Sequence, residues 1–462
     1  MMGTPFNAVL TTAEMSAVFN DNAIAHAMLR FEEALAHAQA AEGMIPLEAA
    51  NAIASCCRAE LYDFSAIIVE SRTAGSLAIP LIKALTRMVR ENDEPAAGFV
   101  HWGSTSQDVI DTALVLATRD ALVLIERDLD KLIASLLKLA ERHAATPVLA
   151  RTLLQPAQVI SFGLKITGWA APLVRSRAQL GQLAARALTL QLGGAVGTLS
   201  IMEEHGEKIA HRVARTLELG VPPAPWHTQR DEWIRLGLEV AVLVGSLGKI
   251  AIDVALMCQA EVGELAEPTY NGRGGSSAMP HKKNPVSAMI ALAAAQRTPH
   301  RAAAILAAMA QQHERGLGNW QAECAEWPEL FSSAHGALSA LAHAMRGLQI
   351  NAARMRANID AQCGLVFSEA ATILLASHIG RDRAHALLEE LARDVIANDR
   401  PLEAAMQAHL ATDAALQKAV DAEQLHRCFD VDGAAENSAK LARARIAQLR
   451  AALHREPSSR EK

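Results

Sequence analysis

The sequence is poor in aromatic residues and lacks the patterns that mark a disulfide-bonded or nucleic-acid-binding protein. Only 4% of its 462 residues are aromatic, and two of these are tyrosines. Because strands use aromatic and β-branched residues to cover a pleated face, this scarcity argues against an all-β fold. The net charge is −6 and the cationic residues are scattered, so the sequence lacks the basic surface of a nucleic-acid binder.

Cysteine, metal-binding and membrane signals are also weak. None of the six cysteines forms a C-x-x-C pair, and Cys56 and Cys57 are adjacent, so neither a zinc knuckle nor a disulfide framework is indicated. No H-E-x-x-H motif occurs, and we predict no metal. The most apolar stretch, 236–258, contains three charged residues, so we interpret it as a core helix. The first basic residue is Arg30, so no signal peptide is indicated and we predict a cytoplasmic protein.

Alanine and leucine dominate what is present. The 92 alanines favour closely packed helices, and apolar residues recur every 3.5 positions along 108–143. We therefore predict an all-α protein with a long central helical bundle. Its predicted long helices are 108–143, 157–190 with a kink at Pro172, 232–264, 285–313 and 327–357. Its predicted domains are an N-terminal helical domain at 1–110, the bundle at 111–360 and a C-terminal helical domain at 361–462.

The predicted helix 232–264 contains four glycines, at positions 237, 245, 248 and 263. Each glycine costs a helix about 1 kcal/mol relative to alanine. We infer that close contact with neighbouring helices, from this chain or from other subunits, compensates for this cost.

The densest polar feature is NGRGGSSAMPHKKNP at 271–285. Its glycines let successive backbone N–H groups converge on an anion, and its lysines and asparagines supply further donors. It is not a phosphate-binding P-loop, because the G-K-[ST] order is absent. A simple flexible linker would need the glycines but not the remaining residues.

Ten of these residues, 275–284, match the signature GSSxMPxKxN, through which the chain resembles the fumarase/aspartase superfamily. HWGSTSQDVIDT at 101–112 is similar to its H-x-G-x-T-S-x-D block, and RTLLQPAQVISFG at 151–163 to its T-H-x-Q-x-A-x-P block. The resemblance covers essentially the whole chain. It implies a three-domain helical protomer and a homotetramer with a twenty-helix core. Each active site would draw its three blocks from three subunits.

The resemblance also implies roles for individual residues. These enzymes move a proton next to a carboxylate, and the dianionic intermediate requires pre-aimed donors. The residue corresponding to the family's base is Ser276. Thr105 and Ser106 correspond to hydroxyls that hold a substrate carboxylate, although a helix N-cap is the alternative for them. The other implied substrate-binding residues are Ser277, Lys282, Asn284, His101 and Gln155, with a structural role as the alternative for the last two.

Two departures from the superfamily pattern indicate which reaction is catalysed. Leu153 stands where the amine-releasing members have a histidine, and 73–80 lacks the histidine of their other motif. A leaving amine must be protonated, whereas a leaving carboxylate is already a weak base. The two absences therefore favour a reaction in which a C–O bond breaks to give a free carboxylate.

That chemistry is typical of the lactonizing branch of the superfamily. PWHTQRD at 225–231 and QQHERGLGNWQAE at 311–323 resemble bacterial members of this branch, and they contribute His227 and Arg315 as candidates for binding the additional carboxylate. By this resemblance, a carboxylate oxygen of a conjugated triacid adds to a double bond in protocatechuate breakdown. The resulting carbanion is protonated by Ser276, without a metal or organic cofactor. The implied partners are a small polycarboxylate and further copies of the chain, with no nucleic acid and no membrane.

Two alternatives remain open at this point. One is a C–N lyase of the same superfamily that acts on a succinyl-type substrate and uses another residue as the acid. The other is a structural or binding protein that has kept the fold without activity. The intact serine, lysine and asparagine at positions 276, 282 and 284 argue against the second alternative.

Overall fold

The computed structural model describes residues 5–269, 274–276 and 278–454 of the chain. These residues form nineteen α-helices and four short β-strands, so the all-α prediction is confirmed in its main feature. Six helices precede the first long one: α1 Pro5–Ala8, α2 Ala13–Val18, α3 Asp21–Ala41, α4 Leu47–Cys56, α5 Phe64–Ala74 and α6 Ala78–Asn92.

Five long helices dominate the middle of the chain, where five were predicted. They are α7 Ser106–Arg142, α8 Phe162–Ala187, α10 Asp231–Met257, α11 Val286–Ala308 and α12 Asn319–Arg346, with the shorter α9 Gly206–Leu217 between α8 and α10. The remaining helices are α13 Ala352–Asp360, α14 Ser368–Ile379, α15 Arg381–Asn398, α16 Leu402–Thr412, α17 Ala414–Ala419, α18 Ala422–Cys428 and α19 Val431–Leu453.

The predicted helix boundaries were wrong in four places. Residues 155–161 form a strand rather than the start of a helix, and the turn at 258–264 replaces the last part of the helix predicted for 232–264. Positions 309–313 are a loop, and α12 begins and ends earlier than the predicted helix 327–357. The 3.5-residue pattern along α7 was predicted correctly: Ile125, Leu129 and Leu132 are completely buried.

The strands form two small antiparallel pairs. β1 Pro147–Thr152 pairs with β2 Gln155–Ser161, and β3 Leu265–Ala266 pairs with β4 Gln349–Ile350. The β1–β2 hairpin packs on α13 and α19 and buries Leu149 and Val159 there. Most of the block at 151–163 lies in this hairpin, so the hairpin determines where the side chains of the block are positioned.

The chain divides into two compact units, and the boundaries fall within the five long helices. The first unit contains 1–130, 175–248 and 290–341, and the second contains 131–174, 249–289 and 342–462. The three sequence domains at 1–110, 111–360 and 361–462 stay a prediction.

Two of the glycines of α10 lie in close helix contacts, as the sequence predicted. A Cβ at Gly237 would lie 2.8 Å from both Ile305 and Trp327, and a Cβ at Gly248 would lie 2.6 Å from the Cβ of Ala295. At Gly245 no atom of the described residues lies within 4 Å of that position, and Gly263 lies in the turn after the helix with a φ of +61°. α10 is also the one helix, among those described, that is long and apolar enough to cross a membrane, and half of its most apolar window is buried.

Candidate active site

The N-terminus of α7 carries a cluster of two hydroxyls and one guanidinium. Arg315 donates from Nη1 to the Thr105 hydroxyl at 2.5 Å and from Nη2 to the Ser106 hydroxyl at 3.1 Å. The side-chain oxygens accept from the arginine, so each O–H remains able to donate to another group. The unsatisfied N–H groups of a helix N-terminus also attract negative charge. The cluster therefore has the donors and the charge that a carboxylate requires.

Asp108, in the first turn of α7, holds this end of the helix in place. Its carboxylate is completely buried. It accepts the backbone N–H of Thr105 at 3.1 Å and those of Gly193 and Gly194 at 3.0 and 2.9 Å, and it contacts Nε2 of His227 at 2.8 Å. His227, predicted to bind substrate, is thus buried with its Nε2 engaged by a carboxylate. One side chain joins three separate segments beneath the hydroxyl–guanidinium cluster.

Two of these segments approach each other through glycines. Gly103 and Gly194 both have left-handed backbones, with φ of +73° and +71°. A Cβ on Gly194 would lie 2.9 Å from the carbonyl oxygen of Gly103, which is too close for any larger residue without movement. The glycines of 190–199 therefore allow that segment to lie directly against the loop before α7.

Arg230, in the same segment 225–231 as His227, belongs to a buried ion-pair network. It is 1% exposed and forms ion pairs with Asp111 on α7, at 2.8 Å, and with Glu323 on α12. Trp320 donates to the same aspartate at 2.9 Å, and the guanidinium lies 4.4 Å over the ring of Trp226. Burial raises the pKa of Glu323, even though Arg230 opposes this. The network is enclosed and not available to a ligand.

His101 begins the loop that leads to α7. Its backbone is left-handed, with a φ of +60°, and its Nδ1 lies 2.7 Å from Oε1 of Glu32 on α3. Burial lowers the pKa of this histidine, but the charge and hydrogen bond of Glu32 and the charge of Asp108 outweigh burial and leave the pKa raised. Nδ1 is occupied, while the ring keeps 17% of its side-chain surface exposed.

The signature loop lies in the second compact unit, and its proton-transfer candidate has a defined environment. The Ser276 hydroxyl accepts the backbone N–H of Met279 at 3.1 Å and that of Ala278 at 3.4 Å. Two N–H donors aimed at one oxygen would stabilise negative charge on it. Lys282 is exposed on the same loop, and Ser277 lies outside the described residues.

The ends of this loop are joined by backbone contacts. The N–H of Asn284 donates to the carbonyl of Gly274 at 2.8 Å, and Gly274 has a φ of +78°. A Cβ at this glycine would lie 2.9 Å from the Asn284 carbonyl oxygen. Below the loop, Glu267 accepts the N–H groups of Ser287 and Ala288 and caps α11. The loop is thus closed at its base, and among its described residues His281, Lys282 and Lys283 are exposed.

Gln155 and Leu153 lie at the turn of the β1–β2 hairpin. Thr152 pairs with Gln155, so Leu153 and Leu154 are the two turn residues, with φ of +51° and +65°. Such turns favour Asn-Gly, because both positions need a left-handed backbone. Here the turn presents leucines that are 96% and 75% exposed, and Gln155 is also exposed.

One group in the described part of the chain has the spacing of a metal site. Potential ligand atoms of Glu14, Asp128 and His335 lie within 4.8 Å of one another. Arg127 donates to Glu14 at 2.6 Å and to Asp128 at 2.9 Å, and Thr12 lies 2.8 Å from Nδ1 of the histidine. Because the guanidinium already neutralises both carboxylates, we interpret the group as an ion-pair network. That the protein needs no metal stays a prediction.

The sequence analysis did not identify the residues that hold the predicted site residues in position. Asp108 could have been identified from the sequence, because it is the last residue of the T-S-x-D block. Asp111 lies in the same quoted segment, at 101–112. Glu32, on the buried face of α3, carried no local signal, because its partner is 69 residues away.

Comparison with known proteins agrees with the fold. The sequence profile of a family described as lyase matches residues 8–298. The chain is 44% identical over 425 residues to the 3-carboxy-cis,cis-muconate cycloisomerase of Pseudomonas aeruginosa, covering 92% of each chain. It is 41% identical over 400 residues to a nitrosuccinate lyase of Streptomyces davaonensis, covering 85% of this chain and 82% of the relative.

A solved structure extends this similarity to the fold. The 3-carboxy-cis,cis-muconate lactonizing enzyme of Pseudomonas putida superposes with a TM-score of 0.90 at 39% identity. The alignment covers 97% of this chain and all of that one. The likeness therefore extends over nearly the whole length of both proteins.

Proposed function

This chain belongs to the lyase family within the fumarase/aspartase superfamily, and from that premise we propose that it interconverts 3-carboxy-cis,cis-muconate and 4-carboxymuconolactone. This is an isomerase reaction of protocatechuate breakdown, the β-ketoadipate route. One carboxylate of the triacid adds to a double bond of the same molecule and closes a five-membered lactone.

The observation that carries the choice of reaction is the presence of Leu153 at the histidine position in a chain whose signature loop is intact. Ser276, Lys282 and Asn284 are all present, so the chain retains the residues for proton transfer next to a carboxylate. A leucine at position 153 cannot protonate a leaving amine. In the lactonizing reaction the group that leaves on ring opening is a carboxylate, which needs no such acid.

The described contacts support separate roles for the hydroxyl–guanidinium cluster and the signature loop. The Thr105–Ser106–Arg315 cluster binds one substrate carboxylate through two hydroxyl protons and a fixed cation. Lys282 and Asn284 stabilise the aci-carboxylate that forms as the ring closes. The Ser276 hydroxyl gives its proton to the carbon of that intermediate, and the N–H groups of Ala278 and Met279 stabilise the resulting alkoxide.

The proton balance of this scheme can be measured. The triacid enters with three ionised carboxylates and leaves with two, because one has become an ester. Each turnover in the lactonizing direction therefore consumes one proton from solvent, which restores the Ser276 hydroxyl. Loss of the diene should be accompanied by proton uptake in equal amount.

The direct experiment is to incubate the purified protein with 3-carboxymuconate. We expect the ultraviolet absorbance of the diene to fall and a pH indicator in weak buffer to report one proton taken up for each diene lost. If the absorbance stays constant at high protein concentration, this reaction is not the function of the chain.

A variant pair tests the role of Ser276. Replacing this serine by alanine should lower kcat by about 10²–10⁴-fold, the usual contribution of general acid–base catalysis. Ser135→Ala is the matched control, because that exposed hydroxyl only bonds to the carbonyl of Lys131 in its own helix. Unchanged turnover in Ser276→Ala would refute the role of the serine while leaving the reaction in place.

A second candidate function is a C–N lyase acting on a succinyl-type substrate. The observation that favours it is the 41% identity to a relative named as a lyase of nitrosuccinate, a succinate bearing a nitrogen substituent. Release of fumarate or a related alkene from nitrosuccinate, adenylosuccinate or argininosuccinate would support it. Activity on the muconate alone would exclude it.

We also propose a homotetramer whose active sites are shared between subunits. The long helices expose apolar side chains that a single chain leaves uncovered: Val123 on α7, Val242 and Ile252 on α10, and Met289 and Leu306 on α11 are 48–61% exposed. The leucines of the hairpin turn are more exposed still. The six cysteines are all free thiols, and we propose that the enzyme works in the reducing cytoplasm.

A further inference from the structure

Glu32 and His101 form a dyad at the base of the loop that leads to the hydroxyl–guanidinium cluster. The carboxylate is 1% exposed on α3, and its Oε1 lies 2.7 Å from Nδ1 of the histidine. Since an ionised carboxylate only accepts hydrogen bonds, Nδ1 carries the proton. Nε2 has no partner among the described residues, and the ring remains partly exposed.

Two side chains of α3 hold this loop, and they differ in charge. Gln39 donates from its amide to the carbonyl of Trp102 at 2.7 Å, one residue after His101. A neutral amide is therefore sufficient to hold the backbone here. Glu32 is a buried carboxylate, and its second oxygen has no hydrogen-bond partner in the described structure. A buried and incompletely paired charge destabilises the fold, so holding the loop does not by itself account for a carboxylate at this position.

The charges that face His101 come from two elements. Glu32 approaches from α3 and Asp108 from the first turn of α7, and both raise the pKa of His101 against the opposing effect of burial. Cys57, after α4, is buried near Glu32, whose charge contributes to the raised pKa of this thiol. The acidic groups around the ring therefore favour its protonated form.

The loop also places His101 close to the cluster in sequence and in space. Asp108, whose charge acts on His101, accepts the backbone N–H of Thr105. His101 thus stands at the same end of α7 as Thr105, Ser106 and Arg315. The cluster can bind one carboxylate and the proposed role of Lys282 accounts for a second, so the third carboxylate of a tricarboxylate is left without a cation.

We propose that Glu32 is a positioning residue that holds His101 as an imidazolium, whose Nε2–H donates to a substrate carboxylate other than the one bound by Arg315. This inference rests on the proposed function and extends that function by stating how the protein distinguishes a tricarboxylate from a dicarboxylate. The substrate contact is made by His101, while Glu32 acts through it.

The test is Glu32→Gln, which keeps an acceptor for Nδ1 but removes the charge. Without the charge of Glu32 the pKa of His101 should fall, because burial lowers it and only Asp108 is left to oppose this effect. We expect KM for 3-carboxymuconate near the parent value at pH 6 and about tenfold above it at pH 8, with kcat changed by less than about twofold. Glu33→Gln is the matched control. This neighbour on α3 has no hydrogen bond or ion pair among the described residues, so its pH profile should follow the parent protein.

Calorimetry without turnover separates this inference from the proposed reaction. Propane-1,2,3-tricarboxylate should lose affinity with rising pH in Glu32→Gln but not in the parent protein, and glutarate should show little difference. An increase in KM or Kd of equal size at all pH values would indicate a purely structural role and overturn the proposal. Identical profiles for Glu32→Gln and Glu33→Gln would do the same.

Discussion

Gly245 on α10 offers a test of whether the open face of this helix is covered by another subunit. No described residue approaches within 4 Å of the position that its Cβ would occupy, and Val242 and Ile252 on the same face are 57% and 48% exposed. Taken alone, the chain should gain about 1 kcal/mol from Gly245→Ala, because alanine is the better helix former.

The expected result reverses if a second copy packs closely on this face. An added methyl group would then need space that a tight helix contact does not have, and overpacking of this kind costs about 1–3 kcal/mol. The cost would exceed the propensity gain in most of that range, and it would arise in every subunit of an assembly. We therefore expect Gly245→Ala to lower the unfolding temperature and to shift the protein toward smaller species.

Gly237→Ala and Gly248→Ala are the matched controls on the same helix. Their added methyl groups meet Ile305, Trp327 and Ala295 of the same chain at 2.6–2.8 Å. They should lower stability whatever the oligomeric state. The assays are thermal unfolding together with light scattering after size-exclusion chromatography. If Gly245→Ala keeps the parent assembly and unfolds at a higher temperature, the argument for close packing across subunits at this glycine is refuted.

Two further predictions concern buried charges. Arg230→Met leaves Asp111 and Glu323 without their cation, so it should lower the free energy of unfolding by about 3–5 kcal/mol in denaturant titrations. The control Arg235→Met removes an exposed ion pair and should lower it by less than about 1 kcal/mol. Burial lowers the pKa of His335, although Asp128 opposes this. Stability from His335 is therefore complete above the unfolded value near 6.5 and is lost as the pH falls below it. The unfolding temperature should drop between pH 7.5 and 5.5, and less in His335→Gln; equal drops would contradict this assignment.

The helices were predictable where their signal was local. The predicted helix 108–143 differs from α7 by only a few residues, because a 3.5-residue apolar repeat is contained within the helix itself. The hairpin was missed for the opposite reason. Val159 and Ile160 pair with Leu149 and Val148, and such pairing across a turn is determined by a partner strand rather than by the segment.

The candidate site divides in the same way. Ser276, Lys282 and Asn284 occupy one short segment, so their combination could be recognised from the sequence. The ion pairs of Arg230 join positions 119 and 93 residues apart, and no local pattern distinguishes them from substrate contacts. Buried charges that serve other residues become identifiable only once the packing is known.

The sequence left two interpretations for Thr105, an N-cap and a substrate contact. The contacts of this residue are compatible with both at once. An N-cap threonine normally uses its hydroxyl oxygen to accept a backbone N–H from the first turn. Here the oxygen accepts from Arg315, while Asp108 at the third helical position accepts the backbone N–H of Thr105. The helix start is stabilised by the aspartate, and the threonine O–H is left free to donate. Asp108→Asn would thus disturb the cap and, through it, the hydroxyl, which is how a buried residue without substrate contact can determine the geometry of the site.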